Sequence, residues 1–253
     1  MFSRVKGLSE QVTQWLAENL SGLGTETEIS FNSEDGWALH GRLWMPEGAS
    51  ASSKVPGVVL IHGANHDQDT FYDLSKSLVK KGFATITFDW RGKNRDVKET
   101  RGHYGVSMKR EDTQNSYLDA KAAINYLASQ AGVDVNRIGV LGATLGTQDA
   151  FKAPLGDSRV KTLVILTEES VTDNVRRYLD TMDVPVFFVA STEDINYDRG
   201  NLSELTKQAY MLSKNKYSQF LLYDDAGRGS EMMKAKPELE GMILRWFADK
   251  LAK

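Results

Sequence analysis

The chain has 253 residues, 41% hydrophobic and 26% charged, with a formal net charge of -3. That length supports one globular domain with a sizeable core, and the lack of a basic surplus argues against nucleic acid or an anionic membrane surface as partner. With no cysteine, disulfides, thiol catalysis and cysteine metal sites are excluded. No apolar run approaches the roughly 20 residues of a membrane span, and the first residues lack a signal-peptide apolar core, so a cytoplasmic protein is expected.

In chain order, Phe2, Val5, Leu8, Val12, Trp15, Leu16 and Leu20 recur at three- and four-residue spacings. They give residues 1–24 an N-terminal amphipathic helix whose apolar face suits docking on the body of the protein; a partner or surface contact through residues 2–20 is the lesser expectation. Residues 25–253 read as a single domain. Strands over 28–33 and 38–45 flank Glu34-Asp35-Gly36, a hairpin signal. Val58-Val59-Leu60-Ile61 is the continuous apolar run of a buried parallel strand and leads into His62-Gly63-Ala64-Asn65. A helix over 70–81 stops at Gly82, and a strand over 83–88 runs into Asp89-Trp90-Arg91-Gly92. A charged loop, 93–107, precedes a long helix over about 110–131. Further strands are expected at 138–141, 160–166, 184–190 and 220–223, with helices between them and a last helix opened by Pro237. Two antiparallel strands followed by six that alternate with helices predict an eight-stranded, mostly parallel sheet covered on both faces, with no room for a large cap domain.

The chemistry concentrates at Gly142-Ala143-Thr144-Leu145-Gly146, where an apolar strand turns sharply into a helix with one hydroxyl at the tip. This stretch resembles the nucleophile elbow of the α/β-hydrolase superfamily. The other markers are His62-Gly63, Asp89-Trp90-Arg91-Gly92, Asp194 and Ala226-Gly227-Arg228-Gly229, each at the end of a strand. The resemblance is closest to the esterase and dienelactone-hydrolase-like branch. It implies Thr144 at the nucleophile position, Asp194 at the acid position and Arg228 at the histidine position, where the family has Ser, Asp and His. The implied oxyanion donors are backbone N–H groups of Ala64 or Asn65 and of Leu145. His66 and His103 lie on loops that could reach the pocket mouth.

Both departures bear on function. A threonine keeps the hydroxyl but adds a methyl group at a strained turn. Arginine has five donors, no acceptor and a pKa above 12, so it cannot take a proton at neutral pH. The resulting expectation is a pseudo-hydrolase that binds a small-molecule ligand or ester-like substrate without ordinary hydrolysis. The alternatives are an active esterase using Thr144 with a relocated base, and a non-enzymatic partner-binding protein. Arg228 and the Leu145 N–H would favour an anionic ligand group beside Thr144. No nucleotide-binding glycine motif and no metal-ligand spacing is present, so neither cofactor nor metal is implied.

Overall fold

The computed structural model describes residues 24–64, 66–91 and 110–252. The expected N-terminal helix, Asn65, His103 and the 93–107 loop lie outside them. Eight strands form one sheet: β1 (Thr25–Asn32), β2 (Ala38–Met45), β3 (Val55–Ile61), β4 (Ala84–Phe88), β5 (Val133–Ala143), β6 (Val160–Leu166), β7 (Val186–Ser191) and β8 (Gln219–Tyr223). Their spatial order is 1-2-4-3-5-6-7-8. β1 and β2 form an antiparallel hairpin, and β2 is antiparallel to β4. All pairings from β4 through β8 are parallel.

The central strands are apolar on both sides because both faces are covered. Val59, Ile61, Val140 and Ile165 pack into a cluster with Ile124, Leu127, Phe151, Tyr178 and Ala209. These come from α3 (Tyr117–Ala128), α4 (Gly146–Lys152), α5 (Asp173–Thr181) and α6 (Leu202–Leu212). The alternate residues Val58, Leu60, Leu141 and Val164 pack with Leu74, Leu78, Leu239, Ile243 and Phe247. Those belong to α1 (Tyr72–Lys80) and α8 (Glu238–Lys250). Burial of each such side chain is worth about 1.5–3 kcal/mol, which fixes strand register and so the heights at which the connecting loops emerge.

Several elements differ in detail from expectation. The long helix over 110–131 is broken into α2 (Arg110–Asn115) and α3. At the break, the Ser116 hydroxyl donates to the buried Asp149 carboxylate at 2.8 Å, and Asp119 N–H turns back to Ser116 O. The helix over 70–81 starts with a tighter turn, Gln68–Phe71, capped by Asp67 and Thr70. A short α7 (Glu231–Ala235) precedes the last helix. Beyond β7, Ile195–Asn196 and Gly200–Asn201 form a small antiparallel hairpin that hydropathy does not announce. No described helix is long and apolar enough to cross a membrane.

Candidate functional site

Thr144 sits between β5 and α4 with φ of 49°, a left-handed conformation that is costly for a β-branched residue. Surrounding bonds over-determine it. Thr144 N–H donates to Leu166 O at 2.9 Å, and Thr144 O accepts from the Thr147 hydroxyl at 2.6 Å. Gly146 permits the turn to press on β3, since a Cβ there would lie 2.5 Å from His62 O. Two neighbouring glycines locate the Thr144 side chain. A Cβ on Gly63 would fall 1.9 Å from Thr144 Oγ1, and one on Gly229 would fall 2.6 Å from its Cγ2 methyl. The hydroxyl therefore faces the loop after β3, while the methyl faces the loop after β8 that carries Arg228. Leu145 N–H, the first donor past the turn, makes no backbone hydrogen bond among the described residues.

The loops after β7 and β8 bring Asp194 and Arg228 into contact. Arg228 Nε–H donates to Asp194 Oδ1 at 2.6 Å, and Nη2 donates to Ile195 O at 3.0 Å. The contact to the carboxylate is thus single, not forked. The Asp194 side chain is 1% exposed and that of Arg228 is 34% exposed. Burial pushes the Asp194 carboxyl above the usual carboxylate range, with Arg228 opposing it. Asp194 Oδ2 is buried and makes no aligned hydrogen bond; the Thr167 hydroxyl stands beside it and favours the ionised form. Thr167 Oγ1 in turn accepts from Gly229 N–H at 3.0 Å.

Behind the elbow lies a buried polar layer. Glu168 Oε1 accepts from Gln148 Nε2 at 2.5 Å and from Ser170 N–H at 2.9 Å. Burial pushes its pKa up to about 7. Asp149, bound to Ser116, is pushed to about 7 for the same reason. His62 is also buried, stacked on Trp90 at 5.4 Å, with Nδ1 2.8 Å from Gly63 O and 3.0 Å from Trp90 Nε1. It braces the loop after β3 from within.

Ala64, His66, Thr144, Asp194 and Arg228 line one open cavity of about 720 Å³ at the C-terminal edge of the sheet. Glu169, Glu193, Ile195, Asn196, Asp198, Arg199, Gly227 and Glu231 complete it. The strand-end positions of Glu169 and Glu193 carried a signal in the sequence. Asn196 to Arg199 became visible only once the hairpin formed, where Asn196 Oδ1 accepts from the N–H groups of Asp198 and Arg199. Arg199 Nη1 reaches back to Glu169 Oε2 at 2.7 Å. Among the described residues the lining holds five carboxylates against two guanidinium groups. Arg228, expected to favour an anionic group beside Thr144, is thus accompanied by carboxylates. Among the described residues, no group of His, Cys, Asp and Glu is arranged to hold a metal ion.

Strand order, elbow and cavity position together define an α/β-hydrolase-fold protein. The model of the "Dienelactone hydrolase family" matches residues 39–236, and the chain belongs to that family. The solved dienelactone hydrolase from Anabaena variabilis superposes with a TM-score of 0.70 at 17% identity, covering 90% of this chain and 99% of that one. The Pyrococcus furiosus esterase Pf2001 gives 0.66 at 17% identity, covering 93% and 96%. An Escherichia coli "uncharacterized 31.7 kDa protein in traX-finO intergenic region" is 34% identical over 121 residues, 47% of this chain and 38% of that protein. The chain thus spans less than half the length of that relative.

Proposed function

We propose that this chain is a dienelactone-hydrolase-family protein repurposed to bind a small molecule, without ester hydrolysis through Thr144. The observation that carries the reading is the 2.6 Å contact of Arg228 Nε with Asp194 Oδ1. In the family's reaction an acceptor nitrogen at that position takes the proton of the nucleophile, held in its tautomer by the acid. A guanidinium has no acceptor to offer. It occupies the acid instead, and the Thr144 methyl lies on the side from which a base at 228 would approach. The backbone N–H of Leu145, which makes no backbone hydrogen bond among the described residues, would serve a ligand carbonyl oxygen, with that of Ala64 on the cavity wall as its expected partner.

A second reading has one observation in its favour. Thr144 Oγ1 is turned toward Gly63, and His66, two residues past Ala64, lines the same cavity. In that reading the protein is an active acyl hydrolase with Thr144 as nucleophile and its base on the loop after β3. Hydrolysis of p-nitrophenyl acetate and butyrate separates the two. Binding without turnover leaves the rates of the wild type, Thr144→Ala and His66→Ala indistinguishable from one another. A tenfold or greater fall in both variants would replace the first reading with the second.

A further inference from the structure

We propose that the chain pairs with a second copy of itself through β8, antiparallel about a two-fold axis, so that the sheet runs on from one copy into the other. β8 is the last strand of the sheet and, among the described residues, pairs only with β7. An edge strand presents its outward backbone N–H and C=O groups to any strand that fits beside it. The opposite edge, β1, carries the carboxylates of Glu26 and Glu28, and charge on an edge is a usual defence against further pairing. β8 has no such defence, since residues 217–223 include no charged residue and no proline. Tyr217 and Leu222 stand out from this run, 57% and 45% exposed.

The charges at the two ends of the strand identify the partner. Lys216 precedes the uncharged run, and Asp224 and Asp225 follow it. All three are exposed, and none has an ion-pair partner among the described residues. Lys214 and Lys250, at the same end as Lys216, are already paired with Asp180 and Asp249. At the other end Lys236, 5.9 Å over the Tyr223 ring, is outnumbered by Asp224 and Asp225. In an isologous contact residue i meets j and j meets i. Antiparallel self-pairing therefore sets the basic start of β8 against its acidic end twice over. A parallel pairing would set lysine against lysine and aspartate against aspartate.

The pleat narrows the register. Residues opposite each other in a sheet point to the same face, so the axis must stand level with a residue and not between two. Level with Phe220, the middle of the uncharged run, it sets Gln219 opposite Leu221 and Ser218 opposite Leu222 of the second copy. The turn before β8, closed by Ser218 N–H to Asn215 O, then brings Lys216 and Tyr217 beside Asp224 and Tyr223 of the second copy. Tyr223 packs on the α8 side of the sheet, where Leu221, Met242 and Trp246 line a groove of about 400 Å³ that Tyr217 of the other copy would help to cover.

The test is sedimentation of the full chain at low ionic strength, with two variants at exposed positions: Lys216→Glu, and Asp224→Lys with Asp225→Asn. Asn is chosen at 225 because φ there is 44°, which Asn tolerates. The wild type should dimerise, and each variant alone should do so about tenfold more weakly or worse, because like charges then face each other across both ends. An equimolar mixture of the two variants should dimerise about as tightly as the wild type, since each mixed pair restores opposite charges at both ends. Amide exchange in β8 should slow as the wild-type concentration rises. A wild type that stays monomeric at about 0.5 mM would overturn the proposal. So would variants that dimerise as tightly as the wild type, or a mixture no tighter than its components.

Discussion

Two arginine–aspartate contacts stand at strand ends on opposite halves of the sheet, and they do different work. Arg91, after β4, is 3% exposed. Its Nε and Nη2 reach Asp119 at 2.7–3.1 Å, and Nη1 and Nη2 reach Asp35 at 2.6 and 2.8 Å. Its own backbone N–H also donates to Asp119 Oδ2 at 2.7 Å. All three of its guanidinium nitrogens are engaged, and burial pushes Asp119 up to about 6 despite the arginine. Arg228 has a third of its side chain in solvent, one bond to Asp194, one to a carbonyl, and Nη1 unbonded among the described residues. The same pair of residue types is a saturated brace in one place and an open wall of a cavity in the other. Burial and saturation of donors, not chemical identity, separate the two.

The largest expected effect comes from replacing the open pair by catalytic chemistry. Thr144→Ser with Arg228→His should gain esterase activity of about 10²–10⁴-fold over the parent, the usual worth of a general base. Serine removes the methyl that faces Gly229, and Asp194 already stands beside position 228. Each single change should do little, because triad members act as a unit. Activity should fall as the new histidine protonates, near pH 6.5 or somewhat above beside Asp194. A folded double variant without pH-dependent hydrolysis of any small ester would show that the cavity differs from a hydrolase site in more than these two side chains.

Next in size is the contrast in stability. Arg91→Ala should cost about 3–5 kcal/mol in urea denaturation, because it strands buried Asp119. Arg228→Ala should cost about 1 kcal/mol or less, since Arg228 is partly in water and makes a single bond to Asp194. Equal losses from the two substitutions would remove the distinction between brace and wall.

A further contrast is a pH dependence set by the layer behind the elbow. Glu168 has a folded-state pKa of about 7 against a reference of 4.5. Below pH 4.5 the carboxyl is protonated in both states and imposes no penalty. Between pH 4.5 and 7 the unfolded chain releases its proton first, so stability falls as pH rises, by about 3 kcal/mol in all, and the penalty is complete above pH 7. Asp149 should add a decline of the same sign. Glu168→Gln, neutral throughout, should remove about a third of the fall contributed by Glu168, Asp149 and Asp119 together, and be the more stable protein at pH 8. A wild-type stability that stays level from pH 5 to pH 8 would contradict this assignment.

The sequence by itself determined the order of strands and helices and the family, because continuous apolar runs such as Val58–Ile61 and Val186–Ala190 suit only strands buried on both faces. The family resemblance it carries also singled out Thr144, Asp194 and Arg228, at strand ends that parallel topology brings to one edge. Element ends were less legible. At the break, Ser116 bonds Asp149, 33 residues away, a contact that no local pattern encodes. Tertiary structure alone decided which way the Thr144 hydroxyl points, since the space for its hydroxyl and methyl is left by Gly63 and Gly229 on two other loops. It also decided which of the described charges meet at the cavity, because Glu169, the segment from Glu193 to Arg199, and Glu231 follow three different strands and converge only once the sheet has set their heights. Local periodicity records which face of an element is buried; it carries no information about which distant side chains meet at the sheet's edge.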